Sequence, residues 1–297
     1  MKFLPLMTAF SALLTYSASA QDQPVITSAS VLEKADKSHW QTFDPANTLY
    51  VELDKGRVLI ALSPEFTPGH VDNVKKLVKQ GFYDGLDVYR VQENYVVQWG
   101  DASGEKDVGD ARRGIKEEFE TDNAETLAFT PLPGPDGYAA QTGFSGPFPA
   151  GKTEDGSQAW MLHCPGAVGM GRDIDPDSGG TELYAVIGHA PRHLDRNVTV
   201  FGRVIWGMEY FSTLPRGHGA LGFHEDEEDW IPITSIKLGG DLPEDERINL
   251  EYLRTDTALF KDYIESRKNR RDGWFHYAAN HVDACNFPLP IREVEQD

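Results

Sequence analysis

Phe82-Tyr83-Asp84-Gly85-Leu86-Asp87-Val88-Tyr89-Arg90-Val91, followed three residues later by Tyr95-Val96-Val97-Gln98-Trp99-Gly100-Asp101, is the stretch that decides the fold. After the turn residues Asp84-Gly85, two runs rich in β-branched and aromatic residues read as strands, Val88–Val91 and Tyr95–Trp99. Alternate residues of a strand share a face, so Arg90 is expected to project opposite Tyr89 and Val91. By propensity alone an arginine on a strand is a solvated surface residue. Surface or functional, both readings of Arg90 stay open at this point.

Upstream lies a hairpin signal. Leu49-Tyr50-Val51-Glu52-Leu53 and Arg57-Val58-Leu59-Ile60-Ala61-Leu62 flank Asp54-Lys55-Gly56. Thr67-Pro68 then offers an N-cap with proline at the first helical position. Val71, Val74, Leu77 and Val78 recur at helical spacing, and Gly81 ends the run. Downstream, residues 131–157 are rich in Gly and Pro and read as a long loop inserted into the strand pattern. Strand runs resume at Ala167–Met170, Leu183–Ile187, Val198–Ile205 and Ile231–Leu238, with a short helix signal at Gly207–Phe211. Leu259, Phe260, Tyr263 and Ile264 form a helical stripe in a charged segment, expected to dock on the body. The core therefore reads as antiparallel β with two helices and a helical extension at the end.

The ends and the charge bear on compartment and partners. Lys2, the apolar run Phe3–Leu14 and Ala18-Ser19-Ala20 have the form of a signal peptide cleaved before Gln21, so a periplasmic or secreted protein is expected. No later stretch reaches the roughly 18 apolar residues that span a bilayer, so membrane insertion is not expected. Among 297 residues, 28 Lys+Arg stand against 47 Asp+Glu, a formal net charge of −19. Such a field repels phosphate backbones, which argues against nucleic acid as partner and predicts a preference for basic or neutral polypeptide segments. Cys164 and Cys285 are the two cysteines. In an oxidising compartment an even pair suggests a disulfide, the alternative being two buried thiols. His276, His281 and Cys285 are close in sequence, but their spacing does not set all three on one helical face, and no metal or cofactor is expected.

The deciding stretch, with its neighbours in order, resembles the cyclophilin family of peptidyl-prolyl cis/trans isomerases. The residues that carry the likeness are Phe82-Tyr83-Asp84-Gly85, Tyr89-Arg90-Val91 and Tyr95 to Asp101, then Gly166–Met170, Ser178–Tyr184 and Leu194–Val204. The resemblance covers roughly residues 47–240. It divides the chain into a leader (1–20), an arm (21–46), the isomerase domain with an insertion at about 131–157, and an extension (241–297). It implies a closed eight-stranded antiparallel barrel capped by two helices, with the groove on the outer face. Arg90 falls on the family's catalytic arginine and Gln98 on its substrate-carbonyl glutamine. Tyr95 and Val96 stand where Phe and Met usually line the proline pocket, Tyr184 stands for a second Phe, and Leu194 is kept. Met170, Gly171 and Arg172 match the strand that pairs with the substrate backbone. Glu182 replaces a Gln, His193 a groove Trp and Val198 a groove His; the Trp loss argues against tight binding of the family's cyclic-peptide inhibitor. The implied function is isomerisation of X-Pro bonds in unfolded or flexible segments of exported proteins by a monomer. The rival reading is a proline-peptide-binding module or holdase using the same groove.

Overall fold

The computed structural model describes residues 26–270 and 273–294; the leader signal at residues 1–20 lies outside them. In chain order the elements are α1 (Ser28–Leu32), β1 (Trp40–Thr42), β2 (Thr48–Leu53), β3 (Gly56–Leu62), α2 (Pro68–Lys79), β4 (Asp87–Val91) and β5 (Val96–Gly100). There follow β6 (Phe129–Pro131), β7 (Gln141–Ser145), β8 (Phe148–Lys152), β9 (Ala159–Met161), β10 (Ala167–Met170), β11 (Leu183–Val186) and β12 (Val200–Trp206). The last are α3 (Met208–Ser212), β13 (Ile231–Leu238), β14 (Leu250–Leu253), α4 (Ala258–Lys268) and β15 (Ile291–Glu293).

Eight strands close an antiparallel barrel in the order β10-β11-β5-β4-β13-β2-β3-β12. Its interior is packed by alternate residues such as Leu49, Val51, Val58, Ile60 and Leu62, together with the fully buried Trp99. Helices α2 and α3 cap it. From α2, Val71, Val74, Leu77 and Val78 join that interior, and Phe211 of α3 packs against Trp99 with ring centroids 5.2 Å apart. Thr67 stands at the N-cap of α2, but its side chain makes no cap bond and its hydroxyl donates instead to the Ser63 carbonyl. The first free N–H groups, of Gly69 and His70, are taken by the Glu118 carboxylate at 2.9 and 2.8 Å. A distant acidic side chain thus supplies what the local sequence motif was expected to give.

The arm, the insertion and the extension come together as an annex on the barrel's outer face. The insertion is not a loop: β6-β7-β8-β9 form a four-stranded antiparallel sheet. Its glycines sit where side chains would collide. A Cβ on Gly143 would lie 2.3 Å from the Thr130 carbonyl oxygen, and one on Gly151 would meet the Trp160 ring at 2.8 Å. The extension contains the expected helix α4, whose Leu259, Phe260, Tyr263 and Ile264 are buried. It also contributes β14 and β15, which pair with β1 of the arm in a second small sheet. Phe144 of β7, Phe260 of α4 and Phe287 meet with centroids 5.4–5.8 Å apart, so the three segments share one aromatic core. Cys164 and Cys285 are joined by a disulfide that ties the segment after β9 to the extension.

Candidate active site

Arg90 is set by an irregularity that period-two reasoning does not reveal. Val88 pairs with Trp99 and Arg90 pairs with Gln98, so two residues of β4 oppose one of β5. This bulge puts both Tyr89 and Arg90 on the Gln98 side of the strand, where alternation had set them on opposite faces. Arg90 Nη1 donates to Gln98 Oε1 at 3.0 Å, and Gln98 Nε2 donates to the Tyr89 hydroxyl at 2.7 Å. Tyr89 in turn donates to Glu182 Oε2, completing a chain from guanidinium to carboxylate. Arg90 Nε donates to the Leu221 carbonyl at 2.8 Å and Nη2 donates to Gln92. The Phe223 ring lies under the guanidinium at 5.2 Å and that of Tyr95 at 5.8 Å.

Beside Arg90 a cavity of about 420 Å³ is lined by Tyr95, Val96, Gln98, Tyr184, Leu194 and Val198, with Gly171 and Arg172 on its rim. Leu221 and Phe223 complete the wall. The cavity faces away from the barrel interior, because Val96 and Tyr184 belong to the outer apolar cluster whereas Val97, Trp99 and Ala185 point inward. Arg172 is exposed and donates to the Asn197 carbonyl at 3.0 and 2.8 Å.

Three residues singled out in the sequence sit elsewhere. Met170 is buried in the barrel interior, and its N–H goes to the Thr199 carbonyl at 2.9 Å. Glu182 lines an adjoining cavity of about 500 Å³ with Asp101, Arg113, His224 and Trp230. His193 is exposed and borders a separate depression with Arg196 and Glu120. Conversely, Leu221 and Phe223 were not anticipated. They come from a Gly-rich loop, Gly217-His218-Gly219-Ala220-Leu221-Gly222-Phe223, in which two apolar side chains without periodicity were the available sign.

Burial dominates the electrostatics. It draws the Arg90 guanidinium below its usual pKa and pushes the Glu182 carboxyl up to about 7, with the nearby Asp101 charge adding to the rise. Burial also lifts the Tyr184 hydroxyl far above the ordinary tyrosine range. The site therefore sets the Arg90 guanidinium at the mouth of an aromatic-walled cavity whose lining also includes Arg172 and Asp173. It can grip a small apolar ring and offer N–H groups to it, with no nucleophile or metal needed.

A barrel of this topology with this groove defines the prolyl isomerase class. The family model described as cyclophilin type peptidyl-prolyl cis-trans isomerase/CLD matches residues 48–237. The chain belongs to that family and is a peptidyl-prolyl cis/trans isomerase. Over 178 residues it is 28% identical to the "Probable peptidyl-prolyl cis-trans isomerase" of Brucella suis biovar 1 (strain 1330), covering 60% of this chain and 76% of that protein. It is 30% identical over 172 residues to peptidyl-prolyl cis-trans isomerase B of Bacillus subtilis (strain 168), covering 57% of this chain and 92% of the relative. The crystal structure of cyclophilin AquaCyp293 from Hirschia baltica matches with a TM-score of 0.70 at 28% identity, over 91% of this chain and 99% of that one. A match of that breadth extends beyond the barrel into the annex.

Proposed function

We propose that the chain accelerates cis/trans exchange of X-Pro bonds in unfolded or flexible segments of exported proteins, acting as a monomer without a cofactor, with Arg90 as the catalytic group. The observation that carries this reading is the Arg90 guanidinium held at the edge of the 420 Å³ apolar cavity by Leu221, Gln98 and Gln92. These contacts engage three of its five N–H groups, which leaves donors for a substrate.

The chemistry asks for little more. Amide resonance sets a barrier of about 18–20 kcal/mol, and no covalent bond has to break. Tyr95, Val96, Tyr184 and Leu194 grip the proline ring beside the guanidinium. Arg90 donates to the imide nitrogen as it pyramidalises, an interaction present only in the twisted state, and Gln98 holds the preceding carbonyl. Support for export is the leader pattern Lys2, Phe3–Leu14, Ala18-Ser19-Ala20 together with the disulfide, a bond of oxidising compartments.

The test is exchange in a proline tetrapeptide, followed by protease coupling or NMR, for protein purified from the exported fraction. Arg90→Ala should lower kcat/KM by roughly 10²–10³-fold, the loss typical of a transition-state donor. Wild-type rates no better than those of Arg90→Ala overturn the catalytic assignment, even if peptide still binds. Purified protein that keeps Met1 and stays in the cytoplasm overturns the export assignment.

A further inference from the structure

Tyr184 turns its ring to the cavity and buries its hydroxyl behind it. Two features accept that hydroxyl. Gly169 is the cross-strand partner of Tyr184, and a Cβ there would lie 2.3 Å from the phenolic oxygen, so only a glycine leaves room. His163, wholly buried, sets Nε2 2.8 Å from the same oxygen. The imidazole is itself fixed: its Nδ1 lies 3.0 Å from Asp195 Oδ1, which also accepts the His163 backbone N–H at 2.9 Å. Asp195 Oδ2 accepts from Arg192 Nε, and the Arg192 guanidinium donates two bonds, of 3.0 and 2.9 Å, to Asp136. Asp136 lies in the insertion, where its Oδ1 also takes the Tyr138 and Ala139 N–H groups at 2.9 Å. All four side chains from His163 to Asp136 are at least nine-tenths buried.

We assign the imidazole the tautomer that carries its proton on Nδ1, facing Asp195. The Asp195 carboxylate accepts the Nδ1 proton, which leaves Nε2 a lone pair, and the Tyr184 hydroxyl donates to it. The phenol is thereby turned away from the cavity, and the substrate side meets only the ring. Without the Nε2 acceptor, the hydroxyl is a buried donor with no partner, which either recruits water or pulls the ring from its place. Both outcomes wet a cavity whose use depends on dryness.

We propose that His163 is a positioning residue for prolyl isomerisation, holding the Tyr184 hydroxyl out of the proline cavity while the insertion fixes His163 through Asp136, Arg192 and Asp195. This rests on the reading of the 420 Å³ cavity as the proline site. A wetter wall weakens binding of the proline ring equally in the planar and twisted states, so the effect falls on KM and spares kcat.

The experiment is a double-mutant cycle on the full-length protein, with KM and kcat measured separately on a proline tetrapeptide. His163→Ala should raise KM about tenfold with kcat held, the size expected for an orphaned buried hydroxyl. In the Tyr184→Phe background, which has no hydroxyl to hold, the same substitution should leave KM unchanged. A KM penalty of equal size in both backgrounds overturns the inference, as does an unchanged KM for His163→Ala alone. If His163→Ala does not fold, His163→Leu keeps the volume, lacks the acceptor and carries the same cycle. Wild-type rates equal to those of Arg90→Ala would remove the proline-site reading and this inference with it. An active wild type with no coupling between the two positions removes only the role of His163.

Discussion

In β3 the side chains of Val58, Ile60 and Leu62 pack inside the barrel, whereas Leu59 and Ala61, one step along, belong to the apolar cluster of the annex. The two regions are built differently from the same strand. The barrel joins neighbouring hairpins, β2 with β3 and β4 with β5, through distant pairings such as β13 with β2. The annex sets a meander of neighbours, β6 to β9, against segments from both ends of the chain, with β1 paired to β14 and Phe144 packed on Phe260 and Phe287. A strand with both faces covered needs no polar face, which is why Val58–Leu62 reads as an unbroken apolar run. The barrel encloses its own apolar interior, and the annex is a shell on its outer face that carries one covalent tie.

Three experiments can break or sharpen that contrast. The largest effect is expected from replacing both Cys164 and Cys285 by serine. The bond closes a loop with a sequence separation of 121, for which the chain-entropy model gives about 4–5 kcal/mol. Hydrogen exchange should show protection lost in β7, β8 and α4 and kept in β2 to β5. Uniform loss across both regions would mean that barrel and annex unfold as one unit. Next, Phe260→Ala removes the centre of the annex's aromatic core and should cost about 3–5 kcal/mol, read in the same segments.

The smallest effect belongs to the barrel and depends on pH. Glu182 is held at about 7 against an ordinary 4.5, chiefly by burial, so the folded state keeps a proton that the unfolded chain releases. Stability therefore falls as pH rises from about 4.5 to 7 and stays reduced above that. Glu182→Gln should be more stable than wild type by on the order of 2–3 kcal/mol at pH 8, with no gain at pH 4. Equal melting of the two proteins at both pH values would mean the carboxyl is as well solvated as in the unfolded chain.

The same contrast explains what the sequence discloses. Barrel strands were legible because each carries its own local pattern, and the hairpin at Asp54-Lys55-Gly56 names its partner directly. The helix stripe from Leu259 to Ile264 was legible for the same reason. The sheet in the insertion was not. Its Gly143, Pro149 and Gly151 are loop signals in isolation, and the need for small residues under Trp160 and beside Thr130 exists only once the sheet has formed. At the site, the cavity brings together Arg90, Gln98, Tyr95, Val96, Tyr184 and Leu194, residues found through their order along the chain. The bulge at Tyr89 and the wall made by Leu221 and Phe223 depend on register and loop course, which no single-residue pattern encodes.

The order of segments along the chain also sets an order in time. Synthesis delivers the amino terminus first, and the last barrel strand, β13, ends at Leu238, well before Phe260, Cys285 and Phe287 emerge. Until they do, the outer apolar cluster that Leu59, Ala61, Tyr50 and Ile205 share with the arm and the insertion lacks the side chains of the extension. A chain stopped in that interval holds all eight barrel strands beside an unfinished outer cluster, so it exposes apolar surface that the complete chain buries.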